Sequence, residues 1–164
     1  MKKIFLSSLI GFFLCAPVYA EVIEGKVIKV ADGDTITIVN SVGFKQKIRL
    51  QAIDAPETQQ AFGKICSKQL SEKVMNANVI IEYEKKDQYG RLLGTVWLGE
   101  RDINLEQIAE GCAWYYDHYK DQWSVQIDEE YTRAQNYAQN NRLGLWKQKN
   151  PMNPYQFRKM SRRH

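Results

Sequence analysis

Histidine is nearly missing from this chain, with two in 164 residues, and cysteine is almost as scarce at three. They form no zinc-type Cys/His cluster along the sequence. His118 has no evident Ser and Asp companions for a nucleophilic triad and no evident partner that would make it a general base. A glycine-rich phosphate loop is also absent, which removes the usual nucleotide-binding signature. The longest apolar run, Ile4 to Leu14, is too short to span a bilayer comfortably. Internal repeats and low-complexity linkers are lacking as well. What is left points to one ordinary domain, and to chemistry carried by acids and arginines.

The first twenty residues read as a cleaved export signal. Lys2 and Lys3 form a basic start, the apolar run follows, and Val18-Tyr19-Ala20 is a small-residue cleavage site. Leu14 stands before Cys15 where lipidation would want a small residue, so the lipoprotein reading is rejected. The expected organisation is a signal over 1–20, a domain over 21–147 and a basic tail over 148–164, with a periplasmic or secreted location and no membrane anchor after cleavage. Residues 21–164 hold 21 Lys/Arg against 19 Asp/Glu, a net charge of +2. From Lys147 onward there are six basic residues and no acid, which leaves residues 21–146 at −4. Attraction to nucleic acid is therefore local to a site and to the tail. In an oxidising compartment Cys66 and Cys112 form one disulfide or stay as two small buried hydrophobes.

Periodicity gives five strands and three helices. Val22–Val30, Thr35–Val39 and Lys45–Ile53 are rich in β-branched residues and separated by the turn signals Asp32-Gly33 and Asn40–Gly43. In the third, Gln46, Ile48, Leu50 and Ala52 share one face and Arg49 points away from it. Phe62, Cys66, Leu70 and Val74 recur every four residues and predict an amphipathic helix ending near Asn76–Asn78. Val79–Glu84 and Leu92–Leu98 read as a hairpin with Asp87–Arg91 in its loop. A short helix follows around Leu105–Cys112, with Gly111 suited to its C-terminal cap, and Val125–Asn140 reads as a last, polar helix. The fold class is α+β, mainly β: an OB-type five-stranded Greek-key barrel with about three helices. An open α+β sheet is the alternative.

Three clusters carry the chemistry: Asp32-Gly33-Asp34-Thr35, Arg49 running into Asp54-Ala55-Pro56-Glu57-Thr58, and Asp87-Gln88-Tyr89-Gly90-Arg91. Carboxylates bind a hard divalent cation and guanidinium forks bind phosphate bidentately, so the set suits attack on a phosphodiester. Asp32 reads as a turn former rather than a ligand. Asp54 and Glu57 lie three residues apart on a loop braced by Pro56, close enough to face one point. Tyr89, Tyr115, Tyr116 and Tyr119 are either base-stacking platforms or ordinary core and surface tyrosines.

The order Asp-Gly-Asp-Thr, Arg…Asp-x-Pro-Glu-Thr, Asp-x-Tyr-Gly-Arg, then Asn104, Gly111 and Gly144-Leu145-Trp146, resembles the staphylococcal nuclease (thermonuclease) family over residues 25–147. The resemblance implies an OB-type barrel and a Ca²⁺-dependent phosphodiesterase acting on DNA and RNA with low sequence specificity, leaving 3′-phosphates. It further implies that Asp34, Asp54 and the backbone carbonyl of Ala55 are the metal ligands. Glu57 would orient or deprotonate the attacking water, Arg49 and Arg91 would bind the scissile phosphate, and Tyr89 would touch a neighbouring phosphate or sugar. Partners would be DNA and RNA substrates only, with no stable protein partner, for a monomer.

Three departures bear on substrate grip. Ala55 replaces a frequent threonine, Gln88 stands where the best-known member has lysine, and the lysine-rich loop after Glu57 is missing. The basic tail is one place to which that grip could have moved. A binding module, an OB-type barrel holding single strands with a weak active site, is the rival reading. Retention of Asp34, Asp54, Glu57, Arg49 and Arg91 argues against it.

Overall fold

The computed structural model describes residues 21–116 and 125–162. The expected signal over 1–20, together with His118 and Tyr119, lies outside the described residues.

Alternating burial along the strands builds the core. In β3 (Lys45–Leu50) Gln46, Ile48 and Leu50 are buried while Lys45 and Lys47 are exposed, the period-2 pattern of a strand with one face inward. β1 (Glu21–Val30) pairs antiparallel with β2 (Thr35–Val39) and with β5 (Asn78–Lys86). β6 (Leu92–Leu98) pairs antiparallel with β5 and, at its other edge, with the short β7 (Arg101–Asp102). The sheet then closes on itself: Ile48, Arg49 and Leu50 of β3 lie beside Leu92, Leu93 and Gly94 of β6 in a parallel ladder. The result is a five-stranded barrel, order β3-β2-β1-β5-β6, filled by Val27, Ile36, Ile38, Ile48, Ile81 and Val96, all with no exposed surface. This is the OB-type architecture expected from the strand pattern.

Two differences from the sequence reading concern boundaries. The segment Lys45–Ile53 is not one strand. The β3–β6 ladder stops at Leu50, the Gln51 N–H donates to the Gly94 carbonyl at 2.9 Å, and Ala52 turns the chain at φ 60°. A two-residue strand, β4 (Ile53–Asp54), then pairs with β8 (Trp114–Tyr115). The first helix, α1 (Gly63–Val74), buries Cys66, Leu70 and Val74 as expected, but Phe62 precedes it as a left-handed N-cap residue at φ 68°.

The remaining helices pack around the barrel. α2 (Ile103–Ala109) starts on Asp102, whose carboxylate accepts the Leu105 N–H at 3.0 Å, an N-cap bond. It ends in a Schellman pair: Gly111 N–H to the Ile108 carbonyl at 2.9 Å and Cys112 N–H to the Gln107 carbonyl at 2.7 Å, with Gly111 at φ +72°. α3 (Val125–Asn140) buries Tyr131, whose hydroxyl donates to Asp102 at 2.8 Å. Among the described residues there is a fourth helix, α4 (Pro154–Ser161), in the stretch read as a basic tail. Its start follows from local chemistry, because the Asn153 side chain accepts the Tyr155 N–H at 2.8 Å and Pro154 occupies the first helical position. A single 3-10 turn, Gly144–Lys147, lies between α3 and α4. Cys66 of α1 and Cys112 beyond α2 are joined as a disulfide, with their Cα atoms 5.0 Å apart.

One buried amide ties α2 to the closing edge of the barrel. The fully buried Asn104 accepts the Val96 N–H at 3.1 Å and donates to the Gln51 and Gly94 carbonyls, each at 3.1 Å. Replacing it by alanine takes the side-chain acceptor from the buried Val96 N–H and one donor from each of the Gln51 and Gly94 carbonyls, of which Gly94 keeps the Gln51 N–H. Asn104→Ala is expected to lower stability by about 3 kcal/mol, read as a shift in the urea midpoint with an unchanged slope; an unshifted midpoint would contradict this role.

Candidate active site

Barrel closure brings the three motif clusters to one mouth. Thr35, at the start of β2, pairs with Arg49 of β3, so Asp34 stands beside that arginine. The Ile48–Leu92 register brings the β5–β6 loop, with Arg91 at its end, to the same rim. A cleft of about 610 Å³ is lined there by Asp34, Arg49, Glu57, Arg91 and Arg158, with Tyr89 at its edge.

Arg49 is the hub. Its Nη1 donates to the Leu50 and Ile53 carbonyls at 2.7 and 2.8 Å, fixing the turn between β3 and β4. Its Nη2 lies 3.1 Å from Asp34 Oδ2 and 3.0 Å from Asp54 Oδ1. Asp34 is buried, and Oδ2 also accepts the Ala55 N–H at 2.7 Å, which draws the Asp54–Glu57 loop against the β1–β2 turn. Asp32 accepts the Asp34 N–H at 3.1 Å, the bond of a turn former. The Gly33 carbonyl takes a bond from the buried Gln107 of α2 at 2.9 Å.

Burial dominates the electrostatics. It pushes the Asp34 carboxyl up to about 6, against the pull of Arg49 and with help from the Asp32 charge. Asp54, also buried, is raised by the same desolvation, which outweighs its hydrogen bond from Arg158. Each of these two acids sits by the other, and among the described residues the cations paired with them are the guanidinium groups of Arg49 and Arg158.

Glu57 is half-buried at the cleft edge. Its N–H donates to Gln60 Oε1 at 3.0 Å and its carbonyl accepts the Gln60 N–H at 2.7 Å. The short connection into α1 runs tight against it, and a Cβ at Gly63 would collide with the Glu57 carbonyl oxygen. In the β5–β6 loop Asp87 accepts the backbone N–H groups of Tyr89 and Arg91 at 2.9 and 3.0 Å and Arg91 Nε at 2.7 Å. Partial burial works against ionisation of Asp87, but these bonds from Arg91 and Tyr89 win and hold its carboxyl below the ordinary value. Arg91 is thereby anchored through Nε, and its guanidinium lies 5.5 Å from the Tyr89 ring centroid.

The tyrosines separate. Tyr89 is exposed at the cleft, and Tyr116 lines an adjoining groove of about 540 Å³ with Arg49 and Arg91. Tyr115, expected as a stacking platform or a core residue, is the latter. It is 8% exposed, packs edge-on against Tyr131 at 5.9 Å and donates its hydroxyl to Asp128 at 2.7 Å.

Sequence reasoning missed Arg158. Its Nη1 donates to Asp54 Oδ1 at 3.0 Å and Glu57 Oε1 at 2.9 Å, and its Nη2 to Asp54 Oδ2 at 3.0 Å. Partial burial opposes its charge, yet the bonds to Asp54 and Glu57 raise the guanidinium above its already high value. The available signal was the Asn153-Pro154 helix start followed by Phe157 and Met160, three residues apart, which line an apolar groove with Pro56 and Trp114.

Hard oxygen donors suit a calcium or magnesium ion, which one or two carboxylates, a carbonyl and waters can hold. Asp34 and Asp54 fit that donor set, since both reach the same Arg49 nitrogen. Among the described residues no three His, Cys, Asp or Glu side chains are gathered as a cage.

A barrel of this topology with acids and arginines at its mouth defines a class, and comparison places the chain within it. Residues 47–148 match the family model described as staphylococcal nuclease homologue, and the chain belongs to that family. It is 38% identical over 162 residues to a Haemophilus influenzae protein named an uncharacterized endonuclease, covering 98% of this chain and 88% of that one. It is 39% identical over 132 residues to the thermonuclease of Staphylococcus hyicus, covering 74% of each. With the micrococcal nuclease of Shigella flexneri it shares 31% identity over 167 residues, covering 96% of this chain and 92% of the relative.

The raised Asp34 carboxyl has a consequence for stability without metal. An acid held above its unfolded value binds its proton more tightly when folded, so its contribution to stability grows as pH falls through about 6. In chelator, going from pH 7 to about pH 5 should add about 1 kcal/mol from this group. Urea unfolding of wild type and Asp34→Asn at both pH values checks it; the same pH increment in both proteins would refute the assignment.

Proposed function

We propose that the protein is an exported, Ca²⁺-dependent nuclease that hydrolyses DNA and RNA phosphodiesters with low sequence specificity and leaves 3′-phosphates. The observation that carries this reading is the meeting of Asp34, Arg49, Asp54, Glu57 and Arg91 at one barrel mouth, in the family order of motifs. The nuclease and endonuclease names of its relatives support the same reading.

In this proposal Asp34, Asp54 and the Ala55 carbonyl would hold the calcium ion, which when bound neutralises charge on the phosphodiester and favours its attack by water. Glu57, at the cleft edge and backed by Gln60, orients the water and takes its proton. Arg91, fixed through Nε to Asp87, offers its outer Nη edge to a phosphate oxygen. Arg49 offers its remaining donor capacity to the same group, where charge builds up in the pentacovalent state. Tyr89 at the rim contacts the adjoining sugar or phosphate. The basic residues at the start of the chain and the apolar stretch after them support export.

Incubation of the mature protein with single-stranded DNA, duplex DNA and RNA, with Ca²⁺ and then with chelator, tests the reading on one gel. Metal-dependent degradation is expected; retarded but intact nucleic acid would show a binding barrel instead. Glu57→Gln should lower turnover by about a hundredfold or more with the fold intact. Arg49→Lys should lose a similar factor, because a point charge cannot replace a planar fork. Near-normal turnover in either variant would remove that residue from its role.

A further inference from the structure

The carboxylates assigned to metal and water are engaged by a cation of the chain itself. Arg158 reaches Asp54 from 104 residues away and Glu57 from 101 residues away, on a helix beyond the residues matched by the family model. Its fork covers both oxygens of Asp54 at 3.0 Å, and Asp54 Oδ1 is shared with Arg49. A divalent ion ligated by Asp54 needs one of those oxygens at about 2.3–2.6 Å. Fork and ion therefore claim the same lone pairs, and their like charges repel. The helix carrying the fork is anchored separately. Gln60 donates to the Met152 carbonyl at 2.8 Å, and Phe157 and Met160 line the apolar groove against Pro56 and Trp114. The Arg158 side chain is 34% exposed, so its guanidinium can leave Asp54 toward the cleft without undocking α4. That cleft also carries Lys47 and Arg162, an environment that calls for an anion.

We propose that Arg158 is a tethered cation that competes with the divalent metal for Asp54 and Glu57 and, once displaced, binds a phosphate of the nucleic-acid substrate. The proposal rests on the metal-site reading given above. Metal entry then costs the Asp54–Arg158 pair, and a substrate phosphate offsets that cost by receiving the freed fork. Substrate and metal thus strengthen each other through one side chain. Part of the grip missing from the shortened loop after Glu57 is supplied by α4.

The test is calorimetric titration of calcium chloride into the chelator-treated mature protein, for wild type, Arg158→Gln, Arg158→Lys and Asp54→Asn. Arg158→Gln should bind Ca²⁺ roughly tenfold more tightly, the equivalent of one charge-assisted hydrogen bond. Arg158→Lys, which keeps the charge without the fork, should fall between. In saturating Ca²⁺ the same Arg158→Gln protein should bind a hydrolysis-resistant phosphorothioate oligothymidylate several-fold more weakly, read by fluorescence anisotropy. Opposite signs are the signature, since general damage to the cleft would weaken both. The calcium-induced rise in unfolding temperature gives a second reading, and should be larger in Arg158→Gln than in wild type. Unchanged or weaker Ca²⁺ binding in Arg158→Gln, or unchanged oligonucleotide affinity, overturns the proposal. If Asp54→Asn loses Ca²⁺ binding while Arg158→Gln matches wild type, only the role of Arg158 falls. If no protein in the set binds Ca²⁺, the metal reading falls and this proposal with it.

Discussion

The parallel ladder between Ile48–Leu50 and Leu92–Gly94 is the constraint on which the rest of the molecule depends. An open sheet with these strands would leave two edges exposed and would hold Arg49 and Arg91 apart. Closing it removes the edges and fills the interior with branched aliphatic side chains. It also sets the β2 start, the β3 end and the β6 start at one mouth. The buried Asn104 amide locks that seam to α2, and α2 in turn holds the Gly33 carbonyl through Gln107. Fold stability and site geometry are therefore served by the same contacts.

At that mouth the chain concentrates charge where burial disfavours it. Asp34 and Asp54 are buried and share one nitrogen of Arg49, and Arg158 completes the neutralisation from outside. Buried acids in this state are held by geometry rather than by their own solvation, and their charge persists only with cations beside them.

The secondary structure was largely legible because it follows local periods. Val125–Asn140 is a helix with those bounds, the alternation along β3 gave its inward face, and Gly111 ends α2 in the conformation its lack of a side chain permits. Errors fell where a long-range partner ends or redirects an element. β3 stops at Leu50 because its ladder with β6 stops there, and Phe62 stands before α1 as a left-handed cap, next to a Gly63 packed on the Glu57 backbone.

By itself the sequence determined the element types and the acid and arginine set, together with the family that their order implies. Those are properties of spacing along the chain. Tertiary structure alone decided that Tyr115 is a core residue and Tyr89 a surface one, since the burial of Tyr115 comes with the pairing of β8 against β4. It alone also decided that the basic tail is a docked helix whose Arg158 meets Asp54. No local period encodes a contact across 104 residues; it exists because apolar side chains on α4 meet a groove that only the folded barrel and its loops provide.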